Sequence, residues 1–583
     1  MSDIKADDIQ LETSAGMQRG SAAEDQSGDD ALSYHDTEYR VSTRTYVVLV
    51  TMAIAWGTCT MANIGPSTTY SYAVEVLGGA SIATWIPNAS LFPIIALQPI
   101  WGSLADRFGK KWFIVAGGVA GVVGNAIAGT ANKTEVIIAG QALNGLGSSL
   151  YLLVVPAGME IVPAKQRSFA QGFMGSINGL MSVMVLLVSG AFAKMSTSSG
   201  WRWVYHLNDI FFGVVAILTI LFYNPPPTKL LRESIHTNRS ILKSIDFVGV
   251  ILFICGMICL VIPLVWGGNA YPWNNARIIA LLVVGGAFLV AFGFYDAYGR
   301  PDGLLDHRFF AQRNYPLVLA VAFVDGMILY GVNAFLPQQV GGLFTQDPVT
   351  VSVYLLPLNL GVIVGITSST WVLGVFRHYR LILVSAILLI TTFCGLLALV
   401  DSTRHAMLLG FTCVIGIGVG VTTAIPNVIL TYAVPSHLIG TAGTLLASCR
   451  GLGGTVGITI FAAINGNYTA SHKIQDITQA VVKAGLSATS AQEFVTAFLA
   501  GDTSALAGIA GATPSVITAA QQALKDVTAG SFKFVWIANA IIGLITAGLA
   551  CFLLPIGDKM TSHVEAPLEE GKSRESAMVK TIE

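Results

Sequence analysis

The residues best able to do chemistry in this chain are charges set among apolar runs. The stretch Gly102-Ser-Leu-Ala-Asp106-Arg107-Phe-Gly109-Lys110-Lys111 packs four of them into six positions between two long apolar segments. Such a loop has to face water, and Asp106 is placed to accept hydrogen bonds from Arg107 or from the N-terminal end of another helix. Gly102 lets a neighbouring helix approach closely. Glu160 and Arg167 bracket a second short loop. Two further charges, Asp325 and Arg450, fall inside apolar runs. A charge at mid-membrane costs at least about 2.5 to 3.5 kcal/mol and is rarely kept without a use. Asp325 lies roughly 13 Å along its helix from the nearer end, at about 1.5 Å per residue. A carboxyl stripped of water there holds its proton more readily, so Asp325 is a candidate proton carrier that Arg450 or a bound substrate resets. The competing reading is a permanent structural ion pair.

Covalent and metal chemistry find no support in the sequence. No Gly-x-x-x-x-Gly-Lys-Ser/Thr phosphate loop is present, which argues against a nucleotide-driven pump. The nine histidines are scattered, and the seven cysteines lie in apolar segments as small packing residues. Neither an enzyme nor a metal site is expected. A net charge of −1 gives no reason to expect nucleic acid as a partner.

The elements that carry these residues are membrane helices. Hydrophobic residues make up 53% of the 583, and charged ones 11%, against roughly 25% in a soluble domain. Runs of about 20 apolar residues predict fourteen spans, near 44–64, 80–101, 112–131, 135–157, 168–193, 203–223, 246–267, 276–298, 316–338, 350–374, 380–400, 406–432, 441–465 and 532–555. An even number puts both termini on one side. Fourteen Lys or Arg residues then fall in the connections on the side of Asp106, against five in the short connections opposite, so that side is predicted to be cytoplasmic. Residues 1–43 read as a disordered acidic cytoplasmic tail rather than a signal peptide, 224–245 as a basic cytoplasmic linker, and 558–583 as a second cytoplasmic tail. Residues 466–531 form a predicted external loop with a helical stretch over 491–506, serving as a lid or packing on the surface. Asn467-Tyr-Thr469 is a possible glycosylation sequon on that face, close to the membrane.

The chain also repeats weakly. Glu160-Ile-Val-Pro163 after the fourth span pairs with Tyr432-Ala-Val-Pro435 after the twelfth, and the 102–111 loop pairs with a degraded Gly374-Val-Phe-Arg377 after the tenth. These pairings align spans 1–6 with 9–14. A six-helix bundle over 44–223 and another over 299–557 would flank an inserted pair at 246–298.

The 102–111 loop resembles the signature between the second and third helices of the major facilitator superfamily. Fourteen spans with an inserted pair, and Trp201-Arg202-Trp203 before span 6, are similar to its fourteen-helix drug:proton antiporter branch. Phe222-Tyr-Asn-Pro-Pro-Pro227, Trp266-Gly267-Gly268 and Cys449-Arg450-Gly-Leu-Gly453-Gly454 resemble fungal trichothecene efflux pumps and siderophore-iron transporters. The resemblance implies an all-α membrane protein of the major facilitator fold that works by alternating access. Gly102, Asp106, Arg107, Gly109, Lys110 and Lys111, with Glu160 and Arg167, would form a switch network that holds the two halves together. The first and fourth helices of each repeat would line the substrate cavity, pointing to Asn63, Gln141, Asn144, Tyr330, Asn333 and Asn427. Span 4 departs from the antiporter pattern: Gln141 stands where an arginine is usual, and span 5 lacks the usual Gly-Pro pair, which leaves the direction of transport open.

The expected function is a monomeric, proton-coupled plasma-membrane exporter of an amphipathic toxin or drug, with the proton gradient as its energy source and no cofactor. A vacuolar or vesicle membrane is the alternative location. Ferric siderophore import by proton symport, and a transporter-like sensor that moves nothing, are the alternative functions. Beyond cargo and protons, membrane lipid is the expected partner.

Overall fold

A computed structural model describes residues 42–554, apart from 80–81, 84, 196–198, 227–245, 269–270, 300–302, 307, 312, 346, 377 and 436–437. The predicted tails and most of the linker lie outside the described residues. The long helices are α1 (Thr43–Leu77), α2 (Leu91–Phe108), α3 (Lys111–Gly129), α4 (Thr134–Tyr151, continued by Val154–Glu160), α5 (Arg167–Met195), α6 (Arg202–Phe222) and α7 (Phe247–Trp266). They continue as α8 (Ala276–Phe294), α9 (Asn314–Leu343), α10 (Pro348–Phe376), α11 (Tyr379–Leu397), α12 (His405–Ala433), α13 (Ile439–Lys483) and α14 (Pro514–Ala550).

Among the described residues, thirteen helices are long and apolar enough to cross a membrane. The remaining expected span, 80–101, takes another form: a turn of helix at Trp85–Asn88, then α2, whose 18 residues run on to Phe108 and include Asp106 and Arg107. Pro93 falls in the first turn of α2, where its missing N–H costs nothing. Placing its polar end on a helix fixes the direction of Asp106, which a loose loop would not. Gly109 ends α2 at φ 92°, a conformation that favours glycine.

The packing follows the repeat. In the first half α1 lies on α5 and α6, α3 on α4 and α6, and α2 on α4; in the second α9 lies on α13 and α14, α11 on α12 and α14, and α10 on α12. Each pair maps onto its counterpart eight helices on. The halves meet along two seams, α2 against α13 and α5 against α10, which exchange under the same mapping. The inserted pair, α7 with α8, packs outside this core and touches α2 and α13 through Phe253, Met257, Val261 and Phe292.

The segment after the thirteenth span differs most from expectation. Rather than leaving the membrane as a loop near residue 465, α13 continues to Lys483, 45 residues in all. At about 1.5 Å per residue that far exceeds a bilayer core of about 30 Å. A short helix, Ala488–Ala500, ends at Gly501 (φ 70°) and folds back onto this extension and the start of α14. Ile477, Val481, Phe494, Val495, Val516 and Ala520 give the projection its own small core. The helical stretch predicted at 491–506 is thus part of a three-helix projection. Asn467 is exposed in the middle of α13, not in a loop.

Candidate functional site

This repeated order of seams brings charge from one half to helix ends of the other. α2 approaches α13 so closely that a Cβ on Gly102 would stand 2.0 Å from Thr444 Oγ1 and 2.8 Å from Thr441 Cα. That closeness carries Asp106 to the first turn of α13. Asp106 accepts from the Thr441 backbone N–H at 2.7 Å and from its hydroxyl at 2.9 Å. Those N–H groups have no partner within their own helix, and the positive end of the helix dipole favours a carboxylate there. Gly440 is equally constrained, since a Cβ would lie 2.1 Å from Asp106 Oδ1.

Behind Asp106 stands Lys110, buried, with Nζ 3.0 Å from Asp106 Oδ1 and 2.7 and 2.8 Å from the two oxygens of Glu160. Burial works against the Lys110 charge, but the Glu160 and Asp106 carboxylates more than offset it and hold the ammonium above its ordinary range. Arg167 performs the opposite capping. Its Nη1 donates to the Thr431 carbonyl, in the last turn of α12, at 3.2 Å, while Nε donates to Met159 at 3.1 Å. Its guanidinium also lies over the Tyr432 ring, whose hydroxyl donates to the Ala164 carbonyl. An acid on a helix N-terminus and a base on a helix C-terminus, both reaching across the halves, make a latch.

Of the residues the sequence reading placed in this network, Lys110 is the hub. Arg107 turns the other way, into a small cavity bounded by Asp246 and Leu304 at the base of the inserted pair. Lys111 also points elsewhere, donating to the Ile220 carbonyl at 2.9 Å and to Asn224, and so ties α3 to the end of α6. Thr441 and Thr431 were not singled out from sequence, and Tyr432 was read only as part of the repeat. The position of Thr441 three residues into a helix after the second repeat loop was the available clue.

The second site is the Asp325–Arg450 pair. Arg450 Nε stands 2.9 Å from Asp325 Oδ2, and Nη2 donates to the Thr422 carbonyl at 3.1 Å. Backbone contact between α9 and α13 makes this possible. A Cβ on Gly453 would stand 1.8 Å from the Phe323 carbonyl oxygen, and one on Gly326 2.0 Å from that of Arg450. Tyr330 lies with its ring on Gly454.

The other predicted cavity residues divide. Gln141 and Asn144 are sealed between α3 and α4: Asn125 donates to Asn144 at 3.1 Å and Asn144 to Gln141 at 2.9 Å. In this conformation both are closed off from any cavity. Asn63 accepts from Ser90 at 3.0 Å and donates to the Cys59 carbonyl, and Asn427 donates to its own helix at Thr423. Asn333 is exposed and also donates within its helix, to Leu329.

By sequence, residues 91–580 match the fungal trichothecene efflux pump family. The chain belongs to that family. Among similar proteins are efflux pump FUS6 of Gibberella moniliformis, 27% identical over 75% of this chain and 77% of that one. Efflux pump aflT of Aspergillus parasiticus is 28% identical over 67% of this chain and 75% of that one. A rubrofusarin-specific efflux pump, aurT of Gibberella zeae, is 27% identical over 66% of this chain and 70% of that one. The structure of the proton:xylose symporter XylE covers 87% of this chain and 94% of its own at a TM-score of 0.54 and 10% identity, a likeness of fold alone. A trichothecene efflux pump family member with this fold is a multi-pass membrane transporter that exports small molecules, not an enzyme.

Proposed function

We propose that this chain exports an amphipathic organic molecule across the plasma membrane in exchange for protons, with both termini and the Asp106 latch in the cytoplasm. The observation that carries the reading is the latch. Asp106 and Arg167 of one half cap α13 and α12 of the other, so breaking them opens the cytoplasmic side and forming them closes it. That is the two-state element alternating access requires. The excess of basic residues in the connections on the latch side supports its cytoplasmic placement. Asp325 is the proposed proton carrier: it is buried, it faces a single cation, Arg450, and it stands in the half opposite Gln141, where the usual arginine is replaced. Relatives named as efflux pumps, one of them rubrofusarin-specific, support outward transport of an organic cargo.

Inside-out vesicles with an imposed acid-inside gradient test the reading, with a panel of amphipathic toxins and ferric siderophores measured side by side. Gradient-dependent accumulation of a toxin is expected. Handling of ferric siderophores alone would reverse the direction, and movement of neither would leave a sensor.

A further inference from the structure

The Asp325–Arg450 pair is lopsided. Arg450 keeps 11% of its side-chain surface exposed and Asp325 only 2%, so of the two it is the arginine side chain that a solute can reach. Arg450 also sits at the boundary of the halves. On neighbouring positions of α13, Ser448 donates to the Ile95 carbonyl of α2 and Gly451 faces the Ile95 side chain. The charged or titratable groups facing Asp325 are Arg450 from α13 and Tyr330 from its own helix, and α12 contributes the uncharged Thr422. α10, and α14 beyond Lys533, carry no acidic or basic residue.

We infer that Arg450 sets the charge of the pumped substrate: the exported molecule is bound uncharged, and an amphipathic anion is bound without being driven outward. The inference rests on Asp325 as the proton carrier. A neutral, mostly apolar solute that covers the open edge of Arg450 removes its water and brings no counter-charge. The guanidinium then depends on the Asp325 carboxylate, and a proton held there is expelled to water. Substrate and proton exclude each other, as antiport demands. A carboxylate or phenolate reverses the sign. It neutralises Arg450 itself, leaves Asp325 buried without its partner, and so favours a proton on Asp325. Anion and proton then bind together, and an inward proton gradient opposes export.

Dansylglycine amide and dansylglycine, alike except for one carboxylate, test this on the full chain in lipid nanodiscs. Fluorescence titrations would run from about pH 5.5 to about pH 7.5, where the dansylglycine carboxylate is ionised throughout. The amide should bind more tightly as pH rises and release protons to a weakly buffered indicator. Dansylglycine should bind more tightly as pH falls and take protons up, and Asp325→Asn should remove both dependences. Because Arg450→Gln alone strands a buried carboxylate, the neutral double variant Asp325→Asn/Arg450→Gln is the second arm. It should bind dansylglycine at least about tenfold more weakly than the wild type does, and any amide binding it keeps should be the same at both ends of the pH range. Responses of the same sign for both probes, no binding of the amide, or full dansylglycine affinity in the double variant would overturn the charge rule. Uphill pumping of the amide by Asp325→Asn would instead remove Asp325 as the coupling group, an outcome read in a separate transport assay.

Discussion

At the scale of single residues, Asp106 does more than keep a loop in water, because its charge sits on the unpaired N–H groups of a helix in the other half. Asp106→Asn keeps an acceptor but loses the charge, weakening the closed state by about 2 kcal/mol, a shift of roughly thirtyfold in the balance of states. Transport should fall strongly while substrate binding to solubilised protein changes far less. Wild-type transport by this variant would remove the latch role. Lys110→Met strands buried Glu160 and should cost about 3 to 5 kcal/mol in thermal unfolding, with Lys110→Met/Glu160→Met recovering much of it. The pH response follows from the same hub. Because Lys110 is held above its ordinary range, its contribution is fully present below about pH 10.4 and fades only as pH climbs beyond that. The stability difference between wild type and the double variant Lys110→Met/Glu160→Met, which strands no Glu160, should therefore stay flat from about pH 6 to about pH 9; a fall toward pH 9 within that window would contradict the burial geometry.

Elements are placed by glycines that let backbones touch. Gly453→Ala puts a methyl 1.8 Å from a carbonyl oxygen of α9, an atom that cannot swing aside. The helices must separate, so the variant should lose about 1 to 3 kcal/mol and loosen the Asp325–Arg450 pair. A normal melting temperature with normal gradient-driven transport would show that the contact is not needed. The projection beyond the membrane behaves as a separate unit, since its apolar residues bury one another. Phe494→Ala should cost that unit about 3 kcal/mol, seen as faster amide exchange over 477–523, and leave transport intact.

Across the whole molecule, alternating access needs the two ends of the seams between the halves to come apart in turn. Ser176 and Thr367 face each other on α5 and α10 with hydroxyl oxygens 2.6 Å apart. Cysteines at both positions should oxidise readily, arrest transport and release it on reduction; continued transport by the oxidised pair would place the moving surface elsewhere. Asp325→Asn belongs to this scale too. It should abolish uphill transport driven by a pH gradient while preserving substrate binding and exchange at equal concentrations, and ordinary gradient-driven pumping would eliminate the coupling role.

Apolar run length and the paired loops were enough to predict thirteen of the fourteen spans as long apolar helices and the repeat that their packing follows, because a bilayer leaves few other ways to bury such runs. The charged loop at 102–111 and the two membrane charges were legible for the same reason, since water-seeking groups stand out in an apolar chain. Partnership was not legible. Lys110 rather than Arg107 became the hub because α2 stays helical through Phe108, which turns Asp106 toward α13 and Arg107 toward the inserted pair. Gln141 and Asn144 closed on Asn125 because α3 and α4 meet through glycine backbones, a distance no local pattern encodes. The continuation of α13 past the membrane likewise depended on packing, because residues 466–483 are too polar to read as a span and hold their helix against the short helix after them and the start of α14.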